Sequence, residues 1–298
     1  MAKGIRRTVA LVAGLALAIT GAAGCTSGAS ASQLRQTTEK VFPFQPGGEL
    51  TISSQNGRVT VEAWNRPEAR IQITREVRSC KRSDAAQLIK ELRADVTLGN
   101  GRISIESHYP KHRENLGIFE ILGQRVSSLN IHYYVQVPAQ TDIRLDTSNG
   151  EVQVRGITGE VVAKTVNGGV DVLALTGPVR VSTTNGGIRL MGIDGSARAG
   201  TTNGAVTAEM RRLSQDGRVD LSTTNGDVTI MLPPDLKASL DAVTTNGRVS
   251  VGYPLVRGEG STGHKSVQGA IGGGGVPLVL RTTNGNITVR KIGPGERT

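Results

Sequence analysis

The chain has 298 residues, with 35 Lys and Arg against 25 Asp and Glu, a formal net charge of +10 and only 3% aromatic residues. Two cysteines in a chain of this length exclude a disulfide-stapled scaffold, so burial and hydrogen bonding must hold the fold. The basic excess favours anionic partners, but acids and bases are interspersed, and the densest run, residues 75–82, contains Glu76 and no aromatic residue. Nucleic acid is therefore not an expected partner.

Lys3, Arg6 and Arg7 precede an apolar stretch over residues 9–20, too short to span a bilayer. Gly21, Ala22, Ala23 and Gly24 then lead into Cys25. This tract resembles a bacterial lipoprotein signal, which implies a signal peptide over 1–24 and lipidation of Cys25. Its removal would leave 32 basic against 25 acidic residues, a net charge of +7. Residues 25–39, rich in Ser, Thr, Ala and Gln, read as a flexible tether. Thr26 stands where Asp commonly signals inner-membrane retention of lipoproteins, so an outer membrane is favoured if the host has two. Cys80, the other cysteine, reads as a small buried hydrophobe.

Residues 40–144 read as a separate, irregular section. Strands are expected over 50–52, 59–63 and 69–74, with an Asn56–Gly57 corner between the first two. Ser83 or Asp84 could cap a helix running to about Arg93, with Ala86, Leu88, Ile89 and Leu92 on its apolar side. Strands at 96–98 and 102–106 flank Gly99-Asn100-Gly101 as a hairpin, and 131–137 is a further strand ended by Pro138. Seven of the aromatic residues, including Phe42, Phe44, Trp64, Tyr109, Tyr133 and Tyr134, precede residue 145, which suits a core for this section better than a sugar-stacking platform.

From residue 145 to 292 the pattern becomes periodic. The corners Asn149–Gly150, Asn167–Gly168, Asn185–Gly186 and Asn203–Gly204 recur every 18 residues, followed by Asn225–Gly226, Asn246–Gly247 and Asn284–Gly285. Three residues after each Asn stands Val152, Val170, Ile188, Val206, Val228, Val249 or Ile287. Two further on stands another apolar residue, with a polar one between, the alternation of a half-buried strand. Residues 258–275 are glycine-rich and read as a loop, and 293–298 as a tail.

Asn and Gly accept turn backbone at little steric cost, so each pair marks a corner. Strand–Asn-Gly–strand is also a hairpin signal and would allow an antiparallel meander. The identical residue at every offset favours instead an all-β, single-stranded β-solenoid of the right-handed kind, about 30–35 Å long for seven coils. Stacked Asn side chains would then bond from coil to coil and satisfy corner groups. By parity Thr183 and its equivalents point inward, leaving one outward Thr rank at Thr184, Thr202, Thr224, Thr245 and Thr283, too few for an ice-binding face.

The opening 47–77, the TTNG-x-[VI]-x-[VIA] units and the closing 269–292 resemble the bacterial β-strand-repeat family labelled "putative adhesin", over about residues 45–292. The resemblance implies a solenoid-like envelope protein and supplies no catalytic residues. The expected function is a non-catalytic interaction surface, membrane-bound through its N-terminal lipid and open to anionic glycans. One alternative is a periplasmic scaffold or envelope-stress accessory protein that binds anionic envelope components. Another is a polysaccharide-acting β-helix enzyme, against which no repeated acid column stands on the outward positions Gln153, Asp171, Arg189, Thr207 and Thr229. His108 and His112 flank Pro110, which spoils a helical metal pair, so no metal, cofactor or catalytic residue is expected.

Overall fold

The computed structural model describes residues 16–22, 31–79, 82–110, 126–257 and 264–293. Cys25, Cys80, His112 and Phe119 lie outside these described residues. The chain divides into two units, Met1–Pro138 and Ala139–Thr298.

The first unit contains β1 (Ala16–Ala22), β2 (Ala31–Pro43), β3 (Gly48–Asn56), β4 (Val59–Trp64), β5 (Glu68–Ser79), α1 (Arg82–Glu91), β6 (Arg93–Gly99), β7 (Arg102–His108) and β8 (Val126–Pro138). Strands β1, β2, β5, β8 and β4 are neighbours in that order, and β3, β7 and β6 form a second set. The β6–β7 hairpin is antiparallel and turns at Asn100 and Gly101, as expected.

Three features of this unit differ from the sequence reading. Residues 31–39, expected as tether, belong to β2, which pairs antiparallel with β5 from Ser32↔Ser79 to Pro43↔Glu68. Its polar composition hides a strand in which Leu34, Phe42 and, just beyond, Phe44 are buried. Strand β1 lies within the segment assigned to the signal peptide, and cleavage before Cys25 would leave β2 with β5 as its partner. The helix begins at Arg82, ahead of both proposed caps, and buries Ala85 and Ile89, with Leu92 buried just past its end, while Ala86 and Leu88 stay half-buried. Of the aromatic residues, Phe42, Phe44 and Tyr133 are buried in the core while Trp64, Tyr109 and Tyr134 are half-buried, and the Tyr109 hydroxyl both donates to Asn56 O at 2.5 Å and accepts from Asn56 N–H at 3.0 Å.

The second unit is the solenoid. One sheet contains β10 (Val152–Arg155), β12 (Val170–Thr176), β14 (Ile188–Gly195), β16 (Val206–Leu213), β18 (Val228–Leu232), β24 (Ile287–Lys291) and β20 (Val249–Val251), in that spatial order. The other contains β9 (Thr141–Asn149), β11 (Val161–Lys164), β13 (Val179–Ser182), β15 (Ala197–Asn203), β17 (Val219–Asn225), β23 (Val276–Asn284), β19 (Ala238–Asn246), β22 (Ser266–Ile271) and β21 (Val256–Arg257). Pairing between coils is parallel, with Val152↔Val170, Val170↔Ile188, Ile188↔Val206 and Val206↔Val228 in register. Parallel register excludes the hairpin meander, because consecutive strands of a hairpin run antiparallel.

The core follows from this register. Val152, Val170, Ile188, Val206, Val228 and Ile287 stack as one buried column. Each such side chain contributes about 1.5–3 kcal/mol by leaving water. The glycines at the corners are required by close coil stacking: Gly186 has φ +155°, and a Cβ there would collide with Gly168 O.

The coils do not all stack in chain order. The last strand pair, β23–β24, is inserted between β17–β18 and β19–β20, so that Val219 faces Leu278 and Leu240 faces Leu278 from the other side. Strand β22, inside the segment expected to be loop, pairs antiparallel with β19 and buries Val267 and Ile271. Its glycine at position 269 and the glycines that follow it masked the alternation.

Candidate functional site

The corners form a continuous amide ladder. Asn167 Nδ2 donates to Asn149 Oδ1 at 2.7 Å, and Asn185, Asn203 and Asn225 each donate to the preceding coil at 2.8 Å. Asn284 then donates to Asn225 at 2.7 Å, and Asn246 to Asn284 at 2.8 Å, following the inserted coil. Beneath most corners an inward threonine hydroxyl donates to a glycine carbonyl, as Thr183 does to Gly168 O, Thr201 to Gly186 O and Thr282 to Gly226 O, each at 2.9 Å. These bonds occupy corner carbonyls that burial would otherwise leave unpaired. The ladder is thus a device of coil cohesion.

A different surface carries the chemistry suited to a ligand. On the outward face of β11, β13, β15 and β17, a shallow depression of about 440 Å³ crosses four coils. Its floor is a column of small residues, Ser182, Gly200 and Ser222, held in register from coil to coil. Lys164 faces Ser182 at one end of the column, and Arg281 faces Ser222 at the other. Arg180, Arg198 and Asp220 form one wall. The groove exists because parallel stacking turns a sequence offset into a spatial row, and three successive coils have a short side chain at one offset.

The basic groups differ in how they are held. Arg180 is ion-paired with Glu160, which also lies 3.6 Å from Arg144. Arg198 reaches Asp220 at 3.5 Å, and Arg218 shares that carboxylate at 3.4 Å. Side-chain exposures of 57% for Arg180 and 68% for Arg198 keep these pairs in high dielectric, where each contributes about 0–1 kcal/mol. Such guanidinium groups can turn to a ligand carboxylate or phosphate at small cost. Lys164 has no ion-pair partner among the described residues. The sequence reading missed this groove, although the offsets that hold Lys164, Ser182, Gly200 and Ser222 could have shown it once the register was known.

Elsewhere the outward face offers little reactive chemistry. Asp171 is pushed above the usual carboxylate range by burial, against the pull of Arg189 at 4.0 Å. Among the described residues no group of three His, Cys, Asp or Glu side chains is placed to hold a metal ion. His108 instead lies 3.1 Å from Asp95 across the hairpin. No helix among the described residues is long and apolar enough to cross a membrane.

Comparison with known proteins places the chain. It is similar to the solved structure of a "putative cell adhesion protein" from Clostridium sporogenes, at 11% identity over 86% of this chain and 100% of that one, with a TM-score of 0.35. A "putative adhesin" from Bacteroides fragilis is 10% identical over 86% of this chain and 97% of that one, with a TM-score of 0.40. A "putative lipid binding protein" from Parabacteroides distasonis is 10% identical over 86% and 97% of the two chains, with a TM-score of 0.27. No curated protein sequence matches this chain. The profile of the Toastrack DUF4097 family, a domain of unknown function, matches residues 26–290. The chain belongs to the Toastrack DUF4097 family.

Proposed function

We propose that this protein is a lipid-anchored, non-catalytic adhesin of the cell envelope, whose solenoid binds anionic glycans along the groove on β11, β13, β15 and β17. The observation that carries the reading is a set of three cations around a floor of small residues: Arg180 and Arg198 on adjacent coils of the wall, and Lys164 at the end of the floor column. A linear polymer bearing carboxylates or phosphates can lie along the floor and meet Arg180 and Arg198, which stand one coil spacing of about 4.8 Å apart, with Lys164 at the end of the floor. Small floor residues let the chain lie close to the sheet. Anchoring rests on the signal-like tract ending at Cys25.

A periplasmic scaffold would use the same groove on an internal envelope polymer, since the charge complementarity is the same. Protease treatment of intact cells, with a lysed-cell control and an antibody to the repeats, separates the two. Cleavage on intact cells supports display at the surface. Protection until lysis removes the adhesin reading and leaves the internal one.

A further inference from the structure

We propose that Asn246–Gly247 is a deamidation site, the one ladder corner whose chemistry the described residues leave unlocked. In this reaction the Gly247 nitrogen attacks Asn246 Cγ. The new Cγ–N bond closes a succinimide, the Cγ–Nδ2 bond breaks, and ammonia leaves with the proton that Gly247 gives up. Water then opens the ring to aspartate or isoaspartate.

At six of the seven solenoid corners the fold opposes the first step. The N–H groups of Gly150, Gly168, Gly186, Gly204 and Gly226 donate at 2.9 Å to the asparagine carbonyl of the next coil, and Gly285 donates to Asn246 O at 3.0 Å. Each bond holds the proton that must leave and fixes the nitrogen away from the side chain. The inner carboxamides of Asn167, Asn185, Asn203, Asn225 and Asn284 both donate and accept within the ladder.

The inserted coil makes Asn246 the end of this row. No further coil stacks on it, so Gly247 N–H finds no acceptor and Asn246 Oδ1 no donor among the described residues. The nearby described backbone bonds to the flanking residues instead, with Lys265 O accepting from Thr244 N–H at 2.8 Å and His264 O from Val249 N–H at 2.7 Å. Asn246 is exposed, so water reaches the ring that forms.

The product changes the surface. Aspartate at this position has no Nδ2 to donate to Asn284, and it places a carboxylate beside exposed Arg248. Isoaspartate also lengthens the backbone where even a Cβ on Gly247 would collide with Gly285 O. The outermost coil thereby loses its ladder bond and its fit together.

The test is incubation of the folded full chain in mildly alkaline buffer, followed by peptide mapping that quantifies amide-to-acid conversion at the seven solenoid corners. The same chain in denaturant supplies the reference rates. Asn246 should react at close to its denatured rate and the other six at least about tenfold slower, the protection from a local opening free energy of about 1.4 kcal/mol. Equal slowing of Asn246 overturns the proposal. So does fastest reaction at Asn284, the result expected if the coils stacked in chain order.

Discussion

Arg281 donates to Asp241 at 2.8 Å although 40 residues separate them, a pair that the insertion of the last coil brings together. Val279 faces Asp220 on one side and Asp241 on the other. Stacking in chain order would place the two aspartates on adjacent rungs, about 4.8 Å apart with like charge. Insertion separates them with an apolar side chain and gives Asp241 a cation. The register of hydrophobic columns allows either order, and the outward charges favour the observed one.

Changing Val279 to Asp should therefore destabilise the final coils and regain part of the loss in high salt. Arg281→Ala removes one part-exposed pair and should cost no more than about 1 kcal/mol. Urea unfolding at two salt concentrations compares them. A Val279→Asp loss that ignores salt would remove charge as the selector.

Adjacent positions on β13 test the inward and outward faces. Val181 is 4% exposed, whereas Arg180 lies on the groove wall. Val181→Asp should lower unfolding stability by at least about 3 kcal/mol, and Arg180→Asp by about 1 kcal/mol or less. Similar melting of the two variants would refute the assignment of faces.

The inward threonines are not equivalent. Thr201 donates to Gly186 O, whereas the buried Thr147 hydroxyl has no hydrogen-bond partner among the described residues. Thr201→Val should cost about 1 kcal/mol, and Thr147→Val should be neutral or stabilising. Thermal melts of the two single variants give the comparison directly.

The first unit should lose stability in mild acid. Burial holds the His132 imidazole below the usual histidine range, although Glu76 pulls it upward, and its Nδ1 accepts Arg58 N–H at 3.0 Å. As pH falls below about 6.5 the unfolded chain gains a proton on this residue before the folded one does, so unfolding is favoured. His132→Asn keeps an acceptor and should flatten that part of the pH profile. Equal slopes for the variant and the parent would assign the acid sensitivity to other groups.

The sequence showed the solenoid because each coil repeats the same local instruction: Val or Ile at fixed offsets, Thr inward, Asn-Gly at the corner. It could not show coil order, since the coils at Asn246 and Asn284 carry the same Thr-Thr-Asn-Gly corner and fit the same columns. Strand β2 stayed hidden because pairing with β5, rather than its own polar residues, makes it a strand. The groove was illegible for a related reason: Ser182, Gly200 and Ser222 are unremarkable singly and become a floor only when stacking aligns them.

Binding of a fluorescent polygalacturonate, with neutral dextran as the comparison, tests the groove most directly. The parent protein should bind the polyanion, lose affinity as salt rises, and ignore dextran. The Lys164→Ala, Arg198→Ala double variant should melt within a few degrees of the parent yet bind at least about tenfold more weakly, a loss of about 1.4 kcal/mol. Equal binding by the folded double variant would contradict the account.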